Sequence, residues 1–333
     1  MTAEPLVKVT DLHVRFTSTE RVVHAVNGIN LSLDRGEVLG ILGESGSGKT
    51  VTLRTIMRLL PPRVRVQGSV MVEGRDIMAC DNRTLRSLRG PRIAMVFQEP
   101  MTALDPVFTV GHQIAEPIVV HEGVSWSKAY ARARAMLDLV QVPSAHRRLK
   151  AYPHELSGGL RQRAMIAIAL ACRPSILLAD EPTTALDATV QIQILVLLRS
   201  LQRELGMGVV FVTHDVGAAA EIADRLAVMY AGRIVETGSV SDVLRRPLHP
   251  YTEGLLASTV RGDRRNKPLQ PLDGTPPSLE IPLAACGFAD RCAHVRDHCH
   301  AILPPATWLG PMRAVECLRL SEIRNLEPER PGR

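Results

Sequence analysis

Gly43-Glu44-Ser45-Gly46-Ser47-Gly48-Lys49-Thr50 is the stretch on which the fold turns. An apolar run, Val38-Leu39-Gly40-Ile41-Leu42, precedes it, and Val51-Thr52-Leu53-Arg54-Thr55-Ile56-Met57 follows. The order is strand, glycine loop, helix, which is the setting in which G-x-x-x-x-G-K-[ST] cradles phosphate. Glycines at Gly43, Gly46 and Gly48 let the backbone curl until successive N–H groups point inward. The helix that begins there adds the positive end of its dipole. Lys49 can reach β- and γ-phosphates, and the Thr50 hydroxyl can ligate Mg²⁺. A flexible Gly/Ser turn can match the bare pattern; the strand before and the helix after argue against it.

Around this loop there is room for one large α/β domain plus an appendage, or for two modest domains. The chain has 333 residues, 45% of them apolar. Aromatics make up only 3%, which argues against a base-stacking nucleic-acid module. The net charge of +6 permits a phosphate-rich ligand or an anionic membrane face and requires neither. No apolar run approaches the ~20 residues that span a bilayer. Residues Met1 to Pro5 lack the basic flank and apolar stretch of a signal peptide. The expectation is a soluble, cytosolic chain.

Upstream of the loop, residues 4–16 alternate polar and apolar like a half-exposed strand, and a second strand runs from Val22 to Leu33. Phe16 stands where an aromatic could lie against a purine or close a small β-core. Downstream, Gly68 to Gly74 reads as a strand, Leu85 to Arg89 as a helical turn, and Arg92 to Gln98 as a strand ending on a polar residue. From Pro100 to about Pro153 the apolar spacing is helical, an inserted lobe. Ser157-Gly158-Gly159 then opens another helix, with Ser157 as its expected cap and the glycines leaving N–H groups exposed. Ile176-Leu177-Leu178-Ala179-Asp180-Glu181 is a buried strand closing on two carboxylates. Asp180 suits Mg²⁺ and Glu181 an attacking water, although a plain strand-end turn would read similarly. A loop through Asp187 leads to a helix from Val190 to Leu205. The strand Gly208 to Thr213 precedes His214, and a hairpin turns around Ala231-Gly232.

Beyond about Arg245 the composition shifts to recurrent prolines and a charged stretch, Arg261 to Lys267, read as a linker into a small irregular tail. That tail carries Cys286, Cys292, Cys299 and Cys317. In a reducing compartment such a cluster reads as a metal or iron–sulfur site rather than a disulfide framework. The spacing lacks C-x2-C knuckles, and four thiolates suit either zinc or a cubane cluster.

GESGSGKT, Gln98, LSGGLRQR, ILLADEP, TALD and His214, in that order, resemble the ATP-binding subunit of an ABC transporter over about residues 5–245. Leu160 departs from the Gln common in the signature. The run Gln98 to Pro106 and the tail with His249-Pro250-Tyr251-Thr252 and its cysteines resemble the oligopeptide, dipeptide and nickel importer branch. The prolines usual beside those cysteines are absent, as Gly287 and Ala293 show. The resemblance implies an α/β P-loop NTPase, an ABC nucleotide-binding domain over 1–245 with a helical subdomain at about 100–155. A cysteine-rich extension would occupy 246–333.

The same resemblance assigns roles. ATP would sit on Gly43, Glu44, Ser45, Gly46, Ser47, Gly48, Lys49, Thr50 and Val51, with adenine against Phe16. Mg²⁺ would be held by Thr50, Gln98 and, through water, Asp180. Glu181, His214 and Gln98 would be catalytic. Ser157, Gly158, Gly159 and Asp187 would serve ATP bound to a partner cassette, closed head to tail. The four cysteines would hold a [4Fe–4S] cluster, with Zn²⁺ as the alternative. The implied partners are a second ATP-binding subunit (by family habit a paralogue, giving a heterodimer), two transmembrane permease subunits and, indirectly, an extracytoplasmic solute-binding protein. No nucleic acid is implied. The place would be peripheral, on the cytoplasmic face of the cell membrane. Peptide, nickel and glutathione are all open as cargo. Two other classes compete: a soluble ABC ATPase acting on nucleic acid, and a non-catalytic regulatory cassette.

Overall fold

The computed structural model describes residues 4–18, 21–184, 186–258 and 272–325. The charged stretch read as a linker, Arg261 to Lys267, lies outside the described residues, as does Ala185. The strands are β1 (Val7–Thr17), β2 (Val22–Leu33), β3 (Val38–Leu42), β4 (Arg65–Val72), β5 (Arg75–Asp76), β6 (Ile93–Val96), β7 (Ile176–Asp180), β8 (Gly208–Thr213), β9 (Arg225–Tyr230), β10 (Arg233–Ser239), β11 (Thr307–Gly310) and β12 (Arg313–Val315). They form an antiparallel sheet ordered β2-β1-β4-β5 and a larger sheet ordered β11-β12-β10-β9-β3-β8-β7-β6. In the larger sheet β6, β7, β8, β3 and β9 run parallel, β10 pairs antiparallel with β9, and β12 pairs antiparallel with β10.

Every residue of β3, β7 and β8 is buried, as expected of parallel strands covered on both faces. Their side chains divide by pleat. Leu177, Ala179, Val209 and Phe211 face the helical core, whereas Leu178, Val210, Val212, Leu39 and Ile41 face the antiparallel sheet. The first helix, α1 (Lys49–Ile56), and α2 (Asn82–Leu88) lie on the antiparallel-sheet side. The lobe expected after Pro100 is α3 (Pro100–Ala103), α4 (Val110–Glu122), α5 (Trp126–Leu139) and α6 (Ala145–Arg148). It packs on α7 (Gly158–Leu170), which with α8 (Ala188–Leu205) covers the other face. No helix among the described residues is long and apolar enough to cross a membrane.

The tail, expected as a small irregular appendage, is built into the main fold. Helices α9 (Val216–Ile222), α10 (Val240–Arg245) and α11 (Pro250–Ala257) lead into it, and α12 (Leu320–Asn325) follows β12. β12 pairs with β10, Glu236 opposite Val315 and Thr237 opposite Ala314, so the tail extends the main sheet. Tyr251, Leu255 and Phe288 share a third core with Leu42, Val228 and Tyr230. The Glu236 carboxylate is fully buried, accepting from the Leu248 and His249 N–H groups, each at 2.9 Å, and from Arg313 Nη2 at 2.7 Å. Breaking a buried pair of this kind costs about 3–5 kcal/mol. Apolar residues scattered without a period in the sequence converge here, which is why the core was not legible in the chain.

Candidate active site

β3, β7 and β8 end side by side, so the loops that follow them meet in one crevice, where open α/β sheets bind ligands. The crevice is a cavity of about 640 Å³ lined by Gly43, Glu44, Ser45, Gly46, Gly48, Lys49, Thr50, Val51, Gln98, Glu181, Thr184 and His214, with Ala25, Leu255 and Ser258. Two glycines are compulsory. A Cβ on Gly43 would stand 2.2 Å from the Met229 carbonyl oxygen, and one on Gly48, at φ +103°, 2.5 Å from that of Ala25. The loop therefore hugs β9 and β2 and turns its N–H groups toward the cavity.

Lys49 is buried, and its Nζ donates to the Gly43 and Glu44 carbonyls, each at 2.8 Å. Burial pushes its pKa down, while the charges of Glu181, Asp180 and Glu44 oppose that shift. Thr50 Oγ1 donates to Asp180 Oδ1 at 2.8 Å. Burial raises the Asp180 carboxyl above its usual range, against the Thr50 hydrogen bond and Arg54. Glu181 is the hub. Its Oε2 accepts from Gln98 Nε2 at 3.3 Å and Thr184 Oγ1 at 3.0 Å, and lies 3.1 Å from His214 Nδ1. Its Oε1 stands 4.0 Å from Lys49 Nζ. Glu181 also holds a left-handed backbone, φ +45°, an uncommon state for glutamate.

The structure thus gathers Gln98, Asp180, Glu181 and His214, from the ends of three different strands, onto the phosphate loop. It does not bring every expected residue there. Phe16 packs half-buried against the antiparallel-sheet core and is not part of the cavity wall. Ser157, Gly158, Gly159 and Asp187 stand outside it too. They form a second face, with Leu186 3.7 Å from where a Gly158 Cβ would be. Ser157 occupies the cap position of α7, but its hydroxyl makes no capping bond, contrary to the sequence reading. Ser157 and Gly158 are both exposed, so the first turn of α7 is open to solvent. Asp187 caps α8 by accepting from the Val190 N–H at 3.0 Å. The residues that sequence reasoning missed are Leu255 and Ser258 in the wall, Tyr251, which accepts from the Glu44 N–H at 2.9 Å, and Arg291, together with Ala25 and Thr184, also in the wall. His249-Pro250-Tyr251-Thr252 was the visible sign of the first three; Arg291 had none.

In the tail, Cys286, Cys292, Cys299 and Cys317 line one cavity of about 20 Å³ with Phe288 and Ile323, and all four are free thiols. Burial raises the pKa of Cys286, Cys292 and Cys317, the last to about 11, and neighbouring thiols add to the shift. Among the described residues no three His, Cys, Asp or Glu side chains stand as a ready metal-holding group.

Residues 26–184 match the ABC transporter family model, and residues 235–299 match the oligopeptide/dipeptide transporter C-terminal region. The chain is 48% identical to a protein of Sinorhizobium fredii named as a probable peptide ABC transporter ATP-binding protein, over 97% of this chain and 98% of that one. The chain belongs to the ABC transporter ATP-binding family. The chain is 45% identical to the dipeptide transport ATP-binding protein of Bacillus subtilis, over 94% of each chain. Identity is also 45% to the oligopeptide transport ATP-binding protein of Salmonella typhimurium, over 95% of this chain and 94% of that one. Among solved structures the cassette is similar to an ATP-binding cassette captured as a dimer after hydrolysis, bound to ADP and phosphate. The TM-score is 0.64 and the identity 31%, covering 70% of this chain and 98% of that one.

Proposed function

We propose that this cassette is the ATP-hydrolysing subunit of an ABC importer of peptides. The observation that carries the reading is the Glu181 hub on an intact phosphate loop, in a chain that matches peptide-importer subunits along nearly its whole length. ATP would lie on Gly43 to Val51, its phosphates facing the loop N–H groups and Lys49. The buried Ser47 Oγ has no hydrogen-bond partner among the described residues, and the hydroxyl of Thr50 faces the Asp180 carboxylate, so the residues fit both phosphate and Mg²⁺. Mg²⁺ when bound neutralises phosphate charge. Glu181 orients and polarises the attacking water, Gln98 and Thr184 aim its carboxylate, and His214 stands beside it to meet the γ-phosphate. Ser157, Gly158, Gly159 and Asp187, outside this cavity, serve the ATP of a partner cassette.

Residues 1–245 act as the ATP-binding unit and 246–333 as the importer-type extension. The helical subdomain at about 100–155 docks on two permease subunits at the cytoplasmic face of the membrane. The partner cassette is a paralogue, and a solute-binding protein delivers the cargo. Isolation of the chain from its own cells should bring down integral membrane subunits and peptide-stimulated ATPase activity. A complex stimulated by nickel or glutathione and not by peptide would overturn the cargo, and a soluble, nucleic-acid-bound complex the whole reading.

We propose that the four tail cysteines hold a [4Fe–4S] cluster, the alternative being Zn²⁺, although as placed they do not stand as a ready metal-holding group. They converge in one buried, apolar-walled cavity, where bare thiolates would repel each other and a cationic centre would hold them deprotonated. Anaerobically purified protein should be brown, with about four irons and four sulfides per chain. Cys299→Ser should bleach it and lower the melting temperature of the tail while leaving ATP binding at Lys49 in place. Colourless protein with stoichiometric zinc would replace the cluster by the zinc site.

A further inference from the structure

The cysteine-bearing segment reaches the nucleotide site through one side chain. Arg291 lies in the short 3-10 turn Ala289–Arg291, next to Cys292, and its side chain is only 4% exposed. Nη1 donates to Glu44 Oε2 at 2.8 Å and Nη2 to Glu44 Oε1 at 3.1 Å, a bidentate fork on the second residue of the phosphate loop. The other donors are also spent: Nη1 on Tyr230 Oη at 3.2 Å, Nη2 on the Leu272 carbonyl at 3.3 Å, and Nε on that of Asp273 at 2.9 Å. The guanidinium also lies 5.7 Å from the Tyr230 ring centroid and 5.9 Å from that of Phe288. A side chain whose five donors are all engaged is fixed in place, not a surface charge that happens to be near.

Its partner stands in an awkward position. Glu44 lines the same cavity as Lys49, and its own carbonyl accepts from Lys49 Nζ. A loop built to take a polyanion thus carries a carboxylate on its wall. Left unpaired, that charge would repel incoming phosphates across a partly desolvated cavity, where Coulomb terms are larger than in water. Tyr251, from the same tail, holds the Glu44 N–H. Side chain and N–H of this one residue are therefore both held from the C-terminal extension.

We propose that Arg291 is a positioning residue for the phosphate loop, neutralising Glu44 and fixing the loop in its anion-accepting shape. The inference rests on the reading of the cavity as an ATP site. The extension is then a working wall of the nucleotide site, and the family match that ends at residue 299 includes the arm that makes it so.

The test is equilibrium binding of a fluorescent ATP analogue with Mg²⁺ to the purified full chain, with melting of each variant measured beside it. Arg291→Ala should weaken binding about tenfold. Adding Glu44→Gln to it should recover binding to within about threefold of wild type, because the repelling charge is gone. Glu44→Gln alone should bind more tightly than wild type, because it removes a negative charge from the cavity wall. A folded Arg291→Ala with wild-type affinity would overturn the proposal. So would a loss that Glu44→Gln does not repair, since a role in folding alone predicts no rescue. If Arg291→Ala does not fold, the single Glu44→Gln variant decides: a tenfold loss would refute charge neutralisation. A wild-type chain that binds no nucleotide at all would instead sink the ATP reading, and this proposal with it.

Discussion

Glu181→Gln is expected to bind ATP as the wild type does and to lose turnover by about 10²–10³-fold in the assembled complex. The Glu181 carboxylate oxygen that accepts from Gln98 and Thr184 and lies beside His214 Nδ1 is held over the phosphate loop by three neighbours at once. A glutamine keeps the shape and can still accept those bonds, but it no longer takes a proton or polarises water. Nucleotide should therefore stay trapped and the paired cassettes stay closed. Lys49→Ala should behave oppositely. It removes the buried cation that answers Glu181, Asp180 and Glu44, and so weakens binding itself by about tenfold or more. Single-turnover hydrolysis beside nucleotide-binding titration separates the two. Wild-type hydrolysis by Glu181→Gln would mean that another group activates the water.

The second large effect concerns Ser157. Its side chain is exposed and caps nothing, so Ser157→Arg should fold normally and should bind ATP in its own cavity unchanged. A long side chain laid over the open first turn of α7 would cover the N–H groups that the proposed head-to-tail pairing offers to another chain's phosphates. Hydrolysis at the partner's site should then fall by about 10²-fold. The informative assembly carries Ser157→Arg and Glu181→Gln in one chain, so that only the partner's site can turn over. Residual activity equal to that of Glu181→Gln alone would rule out the head-to-tail arrangement. Loss of nucleotide binding by the mutated chain itself would do the same.

What the sequence disclosed was local chemistry in a local frame. A glycine loop between an apolar run and a helix, and a buried strand ending on Asp180-Glu181, carry their geometry in adjacent residues. The meeting of Gln98, Glu181 and His214 is not local, and the sequence offered it only through the order of motifs that a family resemblance supplies. The Arg291–Glu44 fork joins residues 247 positions apart, with no period and no motif to announce it. Ser157 was misjudged for a related reason: a serine in cap position has the backbone of a cap, but whether its hydroxyl turns inward depends on surroundings that one segment does not contain. The tail looked irregular because its apolar residues answer to a core built mostly from elsewhere in the chain.

The pairing of β12 with β10 also orders events in time. Ribosomes deliver the chain from its N-terminus, so β3, α1, β7 and β8 are all outside while Arg313–Val315 is still being translated. Until then β10 offers an unpaired edge, and Glu236 waits without the guanidinium of Arg313. A nascent cassette in that condition presents an open strand to any other nascent cassette beside it. Translation halted before Arg313 would yield a product whose β10 edge stays open, sticky rather than merely inactive.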